Sequence, residues 1–185
     1  MNCIAFEGTT KIAEGSLLEV ALAAKPVVDR EGSLPVFLLD AASSQVVEVD
    51  FRGEACDVAR RLTEPAKGPG RPKLGVVARE VTLLPRHWEW LSSQPGGASV
   101  ALRRLVEESR RANGAKDRIR EARDSAYRFI RTMAGNEAGF EEATRALFAG
   151  NGEAFKHHTS AWPPDVRSHA LRLTAESWDS ALSQA

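Results

Sequence analysis

Three prolines (Pro65, Pro69, Pro72) and two glycines (Gly68, Gly70) crowd the stretch from Glu64 to Pro72. Proline has no backbone donor and glycine resists no backbone angle, so no helix or strand tolerates that density. Residues 64–73 therefore read as a basic linker that divides the chain. Before it, Cys3–Phe6 and Thr10–Ala13 flank Glu7-Gly8-Thr9 as a short hairpin. Ser16 caps a helix through Ala24 that Pro26 is expected to stop. Leu34–Asp40 and Gln45–Phe51, with the turn Ala42-Ser43-Ser44 between them, read as a second hairpin, and a short helix follows Gly53-Glu54. Residues 1–63 are thus expected to form a small two-hairpin α+β domain.

After the linker, Leu74–Leu84 is rich in β-branched residues and reads as a strand. Pro85 opens a short helix through Leu91, and Pro95-Gly96-Gly97 breaks it. Ser99 caps a longer helix with an apolar stripe of Val100, Leu102, Leu105 and Val106, expected to face a core. Asn113-Gly114 marks its end. Residues 113–185 are all helix with short turns: one helix from about Lys116 to Met133, one from Phe140, one from Glu153 to Trp162, and one capped by Asp165. The expected fold class is α+β: the N-terminal domain, a strand-helix-helix segment at 74–112, and a helical region.

Charge narrows the function classes. Residues 1–66 carry 6 Lys/Arg and 11 Asp/Glu, residues 67–131 carry 15 and 7, and residues 132–185 carry 4 and 7. A basic middle between acidic ends suits a polyanion-binding surface, or equally a set of solvated helices laced with Glu at i,i+4. No apolar run approaches the roughly 18–20 residues of a membrane span, and Met1-Asn2-Cys3-Ile4 does not open a signal peptide. Cys3 and Cys56 make no CxxC pair, so the reducing cytoplasm is the expected compartment.

Catalytic signals are missing. No Gly-rich phosphate loop is present, and Ser43-Ser44 and Ser92-Ser93 lack a Gly-x-Ser-x-Gly context. His157-His158, with His169 further on, shows no metal-ligand spacing, and Glu141-Glu142 reads as favourable charge at a helix start. An enzyme is not expected, nor a cofactor, a metal or a small-molecule ligand. Trp88 and Trp90 lie about 200° apart on a helix, which places one in a core and the other at an interface.

Two resemblances add to this. Gly70-Arg71-Pro72-Lys73 is similar to the core of an AT-hook, although a plain basic linker explains it as well. Val76–Arg111, in the order strand, Pro, short helix, Gly turn, Arg-Arg helix, resembles the ribbon-helix-helix DNA-binding family. That resemblance implies a dimer whose paired strands enter a major groove. It further implies that Arg71, Lys73 and Arg86 neutralise phosphates, with Arg79 on the same basic face, and that Thr82 reads bases. Val81 and Leu83 would face the core, and the helix start at Gly97–Ser99, with Gly97 and Ser99, would hold the backbone. The same strand and helices could instead belong to an ordinary α+β core. From Gly70 to Leu91, and again over Phe140–Gly150 and Trp162–Leu173, the chain also resembles a bacterial family known only as a domain of unknown function. The expected function is a non-enzymatic DNA-binding regulator, with double-stranded DNA and a second copy of the chain as partners. The alternative is an oligomeric interaction protein whose ribbon only dimerises, its face interrupted by Glu80, unfavourable against a polyanion, or covered by the N-terminal domain.

Overall fold

The computed structural model describes residues 1–63 and 79–178. The linker, with Arg71 and Lys73, and residues 74–78 of the expected strand lie outside the described residues. What is described is α+β and mostly helical, with three strands and seven helices. It divides into two compact units, one made of Met1–Pro65 with Asp117–Ala185, the other of Ala66–Lys116.

In the first unit, β1 (Asn2–Glu7) and β2 (Thr10–Ser16) form the expected hairpin. β3 (Val36–Asp40) pairs antiparallel with the other edge of β1, giving the order β2-β1-β3. As the central strand, β1 sends alternate side chains into two different cores. Cys3 and Ala5 meet Val20, Ala24 and Leu38 on one face, while Ile4 and Phe6 join Leu39 in a larger cluster on the other.

α1 (Leu17–Val28) begins on a reciprocal cap. The Glu19 amide donates to Ser16 Oγ at 3.3 Å, and the Ser16 amide donates to the Glu19 carboxylate at 2.9 Å. Pro26 does not stop this helix, which runs to Val28. Because Pro26 lies in the last turn, it removes a single backbone donor there, and Asp29 still closes the helix by donating to the Lys25 carbonyl at 3.0 Å.

The second hairpin does not form. Beyond Asp40 the chain makes one isolated bridge, Leu39 with Val46, and the Val47 amide donates to Leu38 O at 2.9 Å before the backbone leaves the sheet. Val47, Val49 and Phe51 then lie half-buried against the smaller core, so their alternation serves packing without a ladder. α2 (Ala55–Thr63) follows Gly53-Glu54 as expected.

α3 (Pro85–Ser93) and the first part of α4 (Gly97–Ala134) belong to the second unit, and the rest of α4 belongs to the first. α4 passes straight through Asn113-Gly114, where a stop was expected. Asn113 bonds inward, its Nδ2 donating to the Ser109 carbonyl at 2.9 Å. Ala, Arg and Lys on either side offset the helix-propensity cost of Gly114.

α5 (Phe140–Ala149), α6 (Gly152–His158) and α7 (Pro164–Leu173) follow, with a 3-10 turn at Ala175–Ser177. α6 ends at Thr159, short of Trp162, whose indole is buried and donates to Ala138 O at 2.9 Å. Pro163, not Asp165, caps α7. The Asp165 carboxylate instead accepts from the Lys11 amide of β2 at 2.8 Å. Ala126, Phe129, Ile130 and Met133 are buried along α4 and join Leu147, Phe155, Trp162 and Val166 in the larger core.

Candidate interaction surface

The second unit is where the sequence places its site residues. Leu84 is extended at the N-cap of α3, and Pro85 supplies a first turn that needs no donor. Gln94–Gly96 turns the chain into α4, whose first turn has no acidic residue. Arg79, Thr82, Arg86 and Ser99 are all exposed, and Gly97 is half-buried at the helix start. Arg71 and Lys73 lie outside the described residues, so Arg79 and Arg86 are the two of the four residues expected on a basic face that are described.

Residues 79–84 form no strand among the described residues, and Val81, expected in a core, is 56% exposed. A ribbon strand has its ladder partner only in a second copy, so one chain leaves that backbone unpaired. Trp88 and Trp90 do lie on different faces of α3, yet neither is in a core: they are 38% and 49% exposed. The stripe of α4 faces outward as well, with Val100, Leu105 and Val106 all exposed. Arg104 pairs with Glu108 at 3.8 Å and Arg110 with Glu107 at 3.1 Å, the laced arrangement that an Arg-rich helix favours.

Only Leu91 and Ala101 are buried among the described residues of this unit. Ordering a residue's backbone costs about 1–2 kcal/mol, and burying one Leu returns about 1.5–3 kcal/mol. Two such side chains make no core. Of the twelve large apolar side chains exposed among the described residues, seven fall between Val81 and Val106, so the apolar surface is concentrated in the unit least able to bury it.

Other candidates resolve simply. His157 and His158 stand edge to face at 5.2 Å, and no group of three or more His, Cys, Asp or Glu among the described residues is placed to hold a metal. Glu141 and Glu142 occupy the first turn of α5, with Glu142 on Arg145 at 2.8 Å. No helix among the described residues is long and apolar enough to cross a membrane.

One polar cluster has no local sequence signal. His169 of α7 is 4% exposed, with its ring edge-on to Phe129 at 4.5 Å and to Phe6 at 6.0 Å. Its Nδ1 lies 2.7 Å from Arg172 Nη2, which can only donate, so Nδ1 accepts and the imidazole is neutral. Burial, reinforced by the Arg172 charge, pushes its pKa down to about 4. Arg172 also reaches Glu14 at 2.6 Å, which ties α7 to β2.

A family model described as an uncharacterized protein conserved in bacteria (DUF2239) matches residues 2–174. No curated protein and no solved structure matches the chain.

Proposed function

The chain belongs to that uncharacterised bacterial family, and we propose that it is a non-enzymatic protein that works by association, pairing with a second copy of itself through the Ala66–Lys116 unit. The observation that carries this reading is the exposure of Val81, Leu84, Trp88, Trp90, Val100, Leu105 and Val106 on a unit whose described residues include two buried side chains. A second copy is the partner because residues 79–84 also lack a ladder among the described residues, and an antiparallel strand from another chain would supply one while covering Val81 and Leu84. A DNA-binding regulator is the narrower form of the same reading. It is favoured by the exposure of Arg79, Thr82, Arg86 and Ser99, which such a dimer would leave on its surface.

Sedimentation velocity of the full chain tests the association. Wild type is expected to be a dimer at micromolar protein, and a Val81→Lys, Leu84→Lys, Trp90→Lys variant a monomer with unchanged far-UV circular dichroism. A monomeric wild type overturns the proposal. Anisotropy of labelled mixed-sequence duplex DNA at about 50 and about 200 mM salt then decides the narrower form. Salt-sensitive binding weakened by Arg79→Ala with Arg86→Ala supports a regulator, and no binding at the lower salt leaves an interaction protein.

A further inference from the structure

A cleft of about 470 Å³ opens within the first unit, between the turn that follows β3, one face of α4 and the end of α7. Its polar lining is Ser43, Arg118, Glu121, Asp124, Arg128 and Arg172. The volume is that of a small-molecule site.

Opposite charges line the cleft without pairing with one another. Arg104–Glu108, Arg110–Glu107 and Arg120–Asp117 pair along the helix within 4 Å. Arg118 and Glu121 stand at the same i,i+3 spacing, and Asp124 and Arg128 at i,i+4, yet none of these four makes an ion pair among the described residues. Both signs therefore stay available inside one concave surface. Arg128 is held by Nη1 donating to Ser43 O, and Arg172 by Glu14 and His169, so two of the three guanidiniums are positioned before anything binds. Each keeps further N–H donors unspent, since the group has five.

The opposite wall is rigid. Ser44, a buried non-glycine residue, has φ of 55°, a conformation that costs about 1–3 kcal/mol. Its Oγ lies 3.0 Å from Ser125 Oγ, and Ser125 Oγ donates to Ala42 O at 2.6 Å, which fastens the turn to α4. Asp40 accepts from the amides of Ala42 and Ser43, at 3.1 and 2.7 Å, and from Ser43 Oγ at 2.8 Å. Those bonds hold its carboxyl below the usual range.

We propose that this cleft binds a small organic phosphate that carries hydroxyl groups, the class of sugar phosphates and nucleotides. The phosphate sits against Arg118, Arg128 and Arg172, and the hydroxyls donate to Glu121 and Asp124. A phosphate monoester offers three terminal acceptor oxygens, enough to bridge three guanidiniums at once, whereas one carboxylate offers two. Two unpaired carboxylates would repel a bare anion, so they call for hydroxyl donors on the same molecule.

This proposal is independent of the association through the second unit, because every lining residue lies in the first. Calorimetric titration of the full chain would use ribose 5-phosphate, glucose 6-phosphate and adenosine 5′-monophosphate, with ribose, glucose, adenosine and inorganic phosphate as controls. At least one ester is expected to bind saturably and more tightly than its unphosphorylated form and than phosphate. Arg118→Ala, an exposed and unpaired position, weakens that binding at least about tenfold with an unchanged melting temperature. Glu121→Ala with Asp124→Ala lowers the ratio of ester to phosphate affinity. The proposal is overturned if no ester binds, if binding survives Arg118→Ala, or if inorganic phosphate binds as well as every ester.

Discussion

His169 in the unfolded chain titrates near 6.5, and in the fold near 4, because Phe6 of β1 and Phe129 of α4 exclude water while Arg172 presents a like charge. Glu14 of β2 opposes this in part and Lys11 adds to it. The unfolded chain therefore binds more protons across that interval, and stability falls as pH drops from about 6.5 to about 4, by up to about 3 kcal/mol. A His169→Gln variant, which keeps an acceptor for Arg172, is expected to lose less stability than wild type between those limits in urea titrations. Equal losses would refute the assignment. Gly139 poses a second test: its φ is +80°, and an added Cβ would stand 2.6 Å from His158 O. Gly32 has φ of +75° with nothing within 4 Å. Gly139→Ala should cost more than Gly32→Ala, which pays only the conformational part of about 1 kcal/mol, as read from denaturant midpoints. Local signals of this kind were legible to different degrees. The cap at Ser16 could be read because both partners lie within four residues, whereas nothing near His169 in the sequence announces Phe6 or Phe129.

Elements were legible where their determinants are local. The first hairpin, β3, α1, α3 and α5 follow from turn residues, caps and apolar periodicity. Gln45–Phe51 misled because alternation reports which side chains are buried, and a chain can bury Val47, Val49 and Phe51 without pairing. Asn113-Gly114 misled because a glycine ends a helix only if the flanking turns gain by stopping. Gly114 inside α4 gives a measurable consequence. Gly114→Ala is expected to raise stability by about 0.5–1 kcal/mol in thermal unfolding followed by circular dichroism. A fall would mean that the helix needs that position bare. The cleft residues Arg118, Glu121, Asp124 and Arg128 could be found only once α4 had a face and that face had an opposite wall.

The first unit as a whole is built from two stretches far apart in the sequence. Ile4, Phe6 and Leu39 complete their core only with Phe129, Ile130, Leu147 and Val166, and no local pattern encodes that partnership. A fragment of residues 1–63 therefore keeps the small α1-facing cluster but leaves the other face of β1 bare, and it is expected to be unfolded by circular dichroism. A cooperative unfolding transition in that fragment would contradict this. In the intact chain, Phe129→Ala is expected to cost about 3–5 kcal/mol and to loosen the sheet together with the C-terminal helices, detectable as shared loss of amide-exchange protection. The bond from the Lys11 amide to Asp165 has a further meaning when the chain is made. It spans 154 residues, so at about 5–20 residues per second a ribosome takes roughly 8–30 s to deliver the partner after β2 has emerged. Throughout that interval the apolar face of β1 lacks part of its cover, because Val166 of α7 arrives only with Asp165. The nascent chain should therefore be a client of ribosome-associated chaperones, released only when α7 clears the exit tunnel.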